Sequence, residues 1–95
     1  MADETKVYRP MTATKQITIP EKIVEVTFAQ YVGQRIRKRR EQLGMTQDDI
    51  VNACNISKAF LSECENGKRS MGFCKVYQLA RVLKRTTDWF AEGWD

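Results

Sequence analysis

The stretch Thr46–Gly67, TQDDIVNACNISKAFLSECENG, holds two helix starts and two helix stops within a few turns of chain. Thr46 is a good N-cap, with Asp49 at capping-box distance and Asp48 beside it, so a helix opens at about Gln47. Ile50, Val51, Ala53 and Cys54 give that helix an apolar face. It stops near Cys54-Asn55, because asparagine tolerates the left-handed backbone of a tight turn. Ser57 then caps a second helix that runs to about Glu65 or Asn66, where Gly67 ends it. Leu61 and Cys64 point inward. A capped helix of about eight residues, a turn of about four and a second capped helix make a helix-turn-helix pair.

Upstream, Phe28, Val32, Ile36 and Leu43 share one helical stripe, and Thr27 and Gln30 have capping-box spacing, which predicts a helix over 28–43 closed by Gly44. Arg39 and Arg40 fall on or beside that stripe. A charge facing a core needs a partner or a long stem reaching water, so an acid elsewhere is expected to answer one of them. Downstream, Ser70 or Met71 opens a fourth helix with Phe73, Val76, Leu79, Ala80 and Leu83 on its stripe. Thr87 caps a short fifth, DWFAEG, ended by Gly93. The expected body, residues 28–95, is therefore all-α with five helices. Residues 1–27 form an N-terminal arm. Its first part, 1–14, is polar and aperiodic and reads as a loose tail. In KQITIPEKIVEVTF, alternating Ile17 and Ile19, then Val24 and Val26, predict two short strands around Pro20-Glu21-Lys22. An isolated hairpin is marginal in water, so it must pack on this domain or on a second subunit.

The 95 residues suffice for one small domain, and 42% hydrophobic content is enough for a core. No run approaches the ~20 apolar residues of a membrane span, and MADETK is no signal peptide, so the expected compartment is the cytoplasm. The net charge is +4, and residues 1–29 balance four bases against four acids, so the whole surplus lies downstream. Five bases fall in RIRKRR (Arg35–Arg40). Such a cluster fits either a polyanion partner or a solvated helix face. There are three cysteines and no histidine. An odd count without a C-x-x-C pair argues against a disulfide framework or a zinc site and reads as small buried hydrophobes. With no phosphate loop and no paired-carboxylate site either, no enzyme, metal or cofactor is expected.

RIRKRREQLGMTQDDIVNACNISKAFLSECENGKRS, extended through VYQLARVL and TTDWFAEG, resembles the lambda-repressor/Cro-like (XRE) helix-turn-helix family over about residues 30–93. The matching features are Ile36 and Arg40 ahead of Gly44, Thr46-Gln47 opening the second helix, Ile56-Ser57 leading into the third, Glu65-Asn66-Gly67 closing it before a basic loop, and Leu79-Ala80 with Leu83 in the fourth. The resemblance implies that Lys58, Ala59, Ser62 and Glu63 face DNA base edges. It implies that Gln47, Asn66, Lys68 and Arg69 hold phosphates, and that Arg40 pairs with Glu65 inside the domain. Physical chemistry fits these roles: lysine donates to guanine, an alanine methyl meets thymine, and glutamate accepts from cytosine N4. The chain departs from the family pattern at Arg39 (a core leucine), Val51 (a small residue), Asn55 (the turn glycine), Cys64 (a leucine or isoleucine) and Glu63. Glu63 is an acid where many relatives carry a basic or amide residue, which makes the base preference hard to borrow.

The expected function is a sequence-specific DNA-binding regulator, a repressor acting as a homodimer on a (pseudo)palindromic operator in double-stranded DNA. The apolar C-terminal end (Trp89, Phe90, Trp94) and the β-prone arm are the candidate dimer interfaces. The second reading is an antitoxin or protein-interaction module whose arm binds a protein partner, such as a toxin or polymerase.

Overall fold

The structure, a computed structural model, describes residues 14–19 and 22–94. Strands β1 (Thr14–Ile19) and β2 (Lys22–Thr27) form an antiparallel hairpin in the register Lys15↔Val26 and Ile17↔Val24. Four α-helices follow: α1 (Phe28–Gln42), α2 (Gln47–Cys54), α3 (Lys58–Glu65) and α4 (Phe73–Leu83). A 3-10 helix covers Thr87–Ala91. The reading of 1–14 as a loose tail is corrected at Thr14, which opens β1; its other residues, and Pro20-Glu21 of the turn, lie outside the described residues.

Three helix starts follow local side-chain chemistry. Thr27, Thr46 and Ser57 each accept the backbone N–H three residues on, from Gln30, Asp49 and Phe60, at 3.0–3.1 Å. Gln30 and Asp49 return the bond to the cap N–H, completing two capping boxes. Thr27 ends β2 and caps α1 at once, so strand passes into helix without a linker. Asn55 ends α2 in the left-handed region at φ 55°, and Gly44 and Gly67 do the same work at φ 71° and 76°.

Two boundaries differ from the sequence reading. α4 opens at Phe73 behind Gly72, not at Ser70 or Met71. Met71 instead packs against the core from the loop. The fifth helix is a five-residue 3-10 turn, so the body has four α-helices where five were expected. Thr87 lies inside it and Thr86 precedes it without a capping bond. Such a short turn gains too few hydrogen bonds to nucleate a helix alone and is held by packing.

The core joins Ile36 of α1, Ile50 and Cys54 of α2, Leu61 of α3, Leu79, Ala80 and Leu83 of α4, and Phe90 of the 3-10 turn. Phe90 and Trp94 are each 4% exposed, so these two rings serve this fold and are not a free interface. Trp94 packs against Phe28 and Tyr31, with ring centroids 5.2 and 5.3 Å away. The Lys15 ammonium of β1 donates to the carbonyls of Gly93 and Trp94, and Tyr31 Oη donates to the Glu92 carbonyl at 2.6 Å. The hairpin is thereby tied to the far end of the body, with Val26 buried beneath it.

Cys54 and Cys64 are buried and Cys74 is exposed. Burial raises the Cys54 thiol above its ordinary value and pushes that of Cys64 up to about 11. In the folded protein a chromogenic thiol reagent is therefore expected to titrate Cys74 quickly and the other two only after denaturant is added. Rapid reaction at all three would contradict the packing around Leu61.

Candidate nucleic-acid interface

α3 turns Leu61, Cys64 and Glu65 into the body. Its other face carries Lys58 and Ala59, both exposed, and Ser62 and Glu63, both half-buried. The orientation is fixed by one carboxylate. Glu65 is 5% exposed and accepts two hydrogen bonds from the Arg40 guanidinium, from Nε at 2.8 Å and Nη2 at 3.1 Å. It accepts a third from Gln47 Nε2 at 3.0 Å. Arg40 Nη1 also donates to the Met45 carbonyl at 2.9 Å. α1, α2 and α3 thus meet on a single buried acid. Glu65, by accepting these bonds, pushes Arg40 further above the ordinary arginine value, against the opposing pull of burial.

The residues expected at DNA fall on two sides of α3. Gln47, Lys58, Ser62 and Asn66 line a shallow groove between α2 and α3, which Arg37 and Asp48 complete. Ala59 and Glu63 line a depression on the other side with Phe60, Arg69 and Lys75. Lys68 stands exposed in the loop, its N–H bonded to the Glu63 carbonyl at 2.8 Å. Three of these side chains are paired within the chain: Lys58 Nζ lies 3.4 Å from Asp48, and Arg69 Nη1 lies 3.0 Å from Glu63. Gln47 gives its side-chain N–H to Glu65, so it braces the helix pair while sitting at the groove.

The basic cluster on α1 is mostly turned inward and forms no single solvated face. Arg35 Nε donates to the Trp89 carbonyl at 2.9 Å and its guanidinium lies 4.3 Å from the centroid of the Trp89 ring. Arg39 Nε donates to the Leu83 carbonyl at 3.0 Å, at the negative end of α4. With Arg40 on Glu65, three of the five bases hold the fold. Arg37 and Lys38 remain exposed, and Arg37 pairs with Glu41 at 3.3 Å. The residues that sequence reasoning did not single out are Lys75, Phe60 and Gly33. Lys75 had charge as a signal. Phe60 and Gly33 matter only through what the fold places next to them.

Among the described residues no helix is long and apolar enough to cross a membrane. A family model described as a helix-turn-helix domain matches residues 33–95. The chain is 32% identical over 62 residues to an uncharacterized HTH-type transcriptional regulator, y4wC, of Sinorhizobium fredii, covering 65% of this chain and 43% of that protein. It spans about half the length of the curated relatives it matches, 43% and 56%. Among solved structures it is similar to the restriction-modification controller C.AhdI of Aeromonas hydrophila, with a TM-score of 0.62 at 21% identity, covering 65% of this chain and 94% of that one. It is also similar to the controller C.Esp1396I, solved as a tetramer with its natural 35 base-pair operator, with a TM-score of 0.60 at 25% identity, covering 68% and 86%. The family match begins inside α1, so the hairpin lies outside it. The chain belongs to the helix-turn-helix family in its lambda-repressor/Cro-like (XRE-type) form.

Proposed function

We propose that this chain is a sequence-specific DNA-binding transcriptional regulator, a repressor that binds a (pseudo)palindromic operator as a homodimer. The observation that carries the reading is the Glu65 clamp. It holds α3 rigidly against α1 and α2 with Lys58, Ala59, Ser62 and Glu63 on the outward side. A helix presented in this way enters the major groove with its N-terminal half foremost. Lys58 donates to guanine, the Ala59 methyl meets thymine, Ser62 bonds either way and Glu63 accepts from cytosine N4. Gln47, Asn66 and Lys68 face the sugar–phosphate backbone, where contacts position without specifying. One such module covers little DNA, so useful affinity calls for two half-sites about 34 Å apart. The hairpin, outside the family match, is the element taken to reach a second copy, with residues 28–95 forming the DNA-binding domain.

The second reading, a protein-interaction module or antitoxin, draws on the hairpin's place outside the family match. An electrophoretic titration on random duplex DNA separates the two. The regulator is expected to retard it at low salt and to lose affinity steeply as salt rises. No binding even at ~50 mM salt would sink the regulator reading and leave the interaction module.

A further inference from the structure

The loop after α3 carries Arg69, which the family resemblance places on a phosphate. In this fold its guanidinium is held by α3 instead. Nη1 lies 3.0 Å from Glu63 Oε1, and the guanidinium carbon lies 5.3 Å from the Phe60 ring centroid. Phe60 precedes Glu63 by three residues, so both belong to one helical face. The loop is also fixed from its backbone: Gly67 N–H bonds to the Cys64 carbonyl at 3.1 Å and Lys68 N–H to that of Glu63 at 2.8 Å. The side chain that reaches Glu63 therefore starts from an anchored point.

We infer that Arg69 is a specificity-determining residue: it positions the Glu63 carboxylate, and through it sets the base that this part of α3 accepts, in place of clamping a phosphate. The inference rests on the regulator reading above. A free glutamate turns about three side-chain bonds, and beside DNA it is repelled by phosphate. Arg69 removes both obstacles. It occupies Oε1, restricts the carboxyl to one plane and cancels its charge, leaving Oε2 to accept from a cytosine amino group. Arg69 and Glu63 are about half exposed in the free chain, where water screens such a pair and its contribution is small. Docking on DNA removes that water, so the pairing counts most in the complex, where bases are discriminated. A cation already matched to a carboxylate also releases few counterions from the duplex, which separates this role from a clamp.

The test is bound-site selection from random duplexes with the full chain, together with the salt dependence of binding to the wild-type site. The variants are Arg69→Ala, Arg69→Lys, Glu63→Gln and the double variant Arg69→Ala/Glu63→Gln. Wild type is expected to select cytosine at one position of each half-site, and Glu63→Gln to change the base at that position. Arg69→Ala should relax that same position by roughly tenfold, with the relative base preferences at the other positions intact. Arg69→Lys, which keeps the charge but not the planar stacked geometry, should relax it as well. In the Glu63→Gln background, Arg69→Ala should alter the profile no further. Equal loss of affinity on every sequence after Arg69→Ala, in both backgrounds, with the salt slope lower by about 0.9, would make Arg69 a phosphate clamp and overturn the inference. Full discrimination retained by Arg69→Lys would overturn it too. If wild type enriches no sequence at all, the regulator reading fails, and this inference with it.

Discussion

Glu65→Ala is expected to cost about 3–5 kcal/mol of folding stability, because it strands the Arg40 guanidinium inside the protein without its counter-charge. Domains of this size have about 5–15 kcal/mol in total, so the variant should be close to unfolding. The carboxylate is the common acceptor for Arg40 and Gln47, so its loss also frees α3 from α1 and α2 together. Urea denaturation checks this: the midpoint should fall sharply with little change in slope. Replacing the pair together, as Arg40→Met/Glu65→Leu, removes both charges and should leave the protein closer to wild type than either single change. A Glu65→Ala midpoint indistinguishable from wild type would mean that the buried pair does not organise the helices.

Gly33→Ala should damage the protein by the opposite route, overfilling in place of emptying. A Cβ at residue 33 would sit 2.2 Å from the Cys64 carbonyl oxygen and 2.7 Å from that of Glu65. Both obstacles are backbone, so no side chain can swing aside, and α1 and α3 must separate. Overpacking of this kind costs about 1–3 kcal/mol, occasionally more. Affinity for the operator should fall further than the thermal midpoint, because the displaced element is the helix proposed to enter the groove. Gly72→Ala is the control. Nothing lies within 4 Å of its Cβ position and its φ of −69° suits any residue, so that change should move stability by under about 1 kcal/mol, a stiffer unfolded chain opposing the N-cap preference for Gly over Ala. Equal thermal midpoints for the two variants would contradict the close approach of α1 and α3.

What could be read from the sequence was local. Thr27, Thr46 and Ser57 announce their helices because a cap and its acceptor lie within one turn of chain. The alternation of Ile17 with Ile19, and of Val24 with Val26, marks two strands for the same reason, and they pair as β1 and β2. Gly33 carried no signal, since its role depends on where a helix thirty residues away comes to rest. The partners of Arg35 and Arg39 could not be named from the sequence because they are the carbonyls of Trp89 and Leu83, which no residue letter distinguishes. Trp94 looked like an interface because an aromatic residue is the same letter whether it meets Phe28 of its own chain or another molecule. The pairing of Arg69 with Glu63 was hidden by a loop, where spacing does not dictate distance.

The bond between Lys15 and the carbonyl of Trp94 spans 79 residues of chain. A ribosome delivers these partners far apart in time. The helix pair around Leu61 and Ile50 is complete in sequence well before Trp94 emerges, so it can assemble early from near neighbours. The hairpin and the outer edge of α1, although made first, must wait with Val26 and Phe28 uncovered until the distant segment arrives. Synthesis order and folding order therefore run in opposite directions at this edge, and the interval between them is when the nascent protein is most exposed to mispairing with a neighbour's strand.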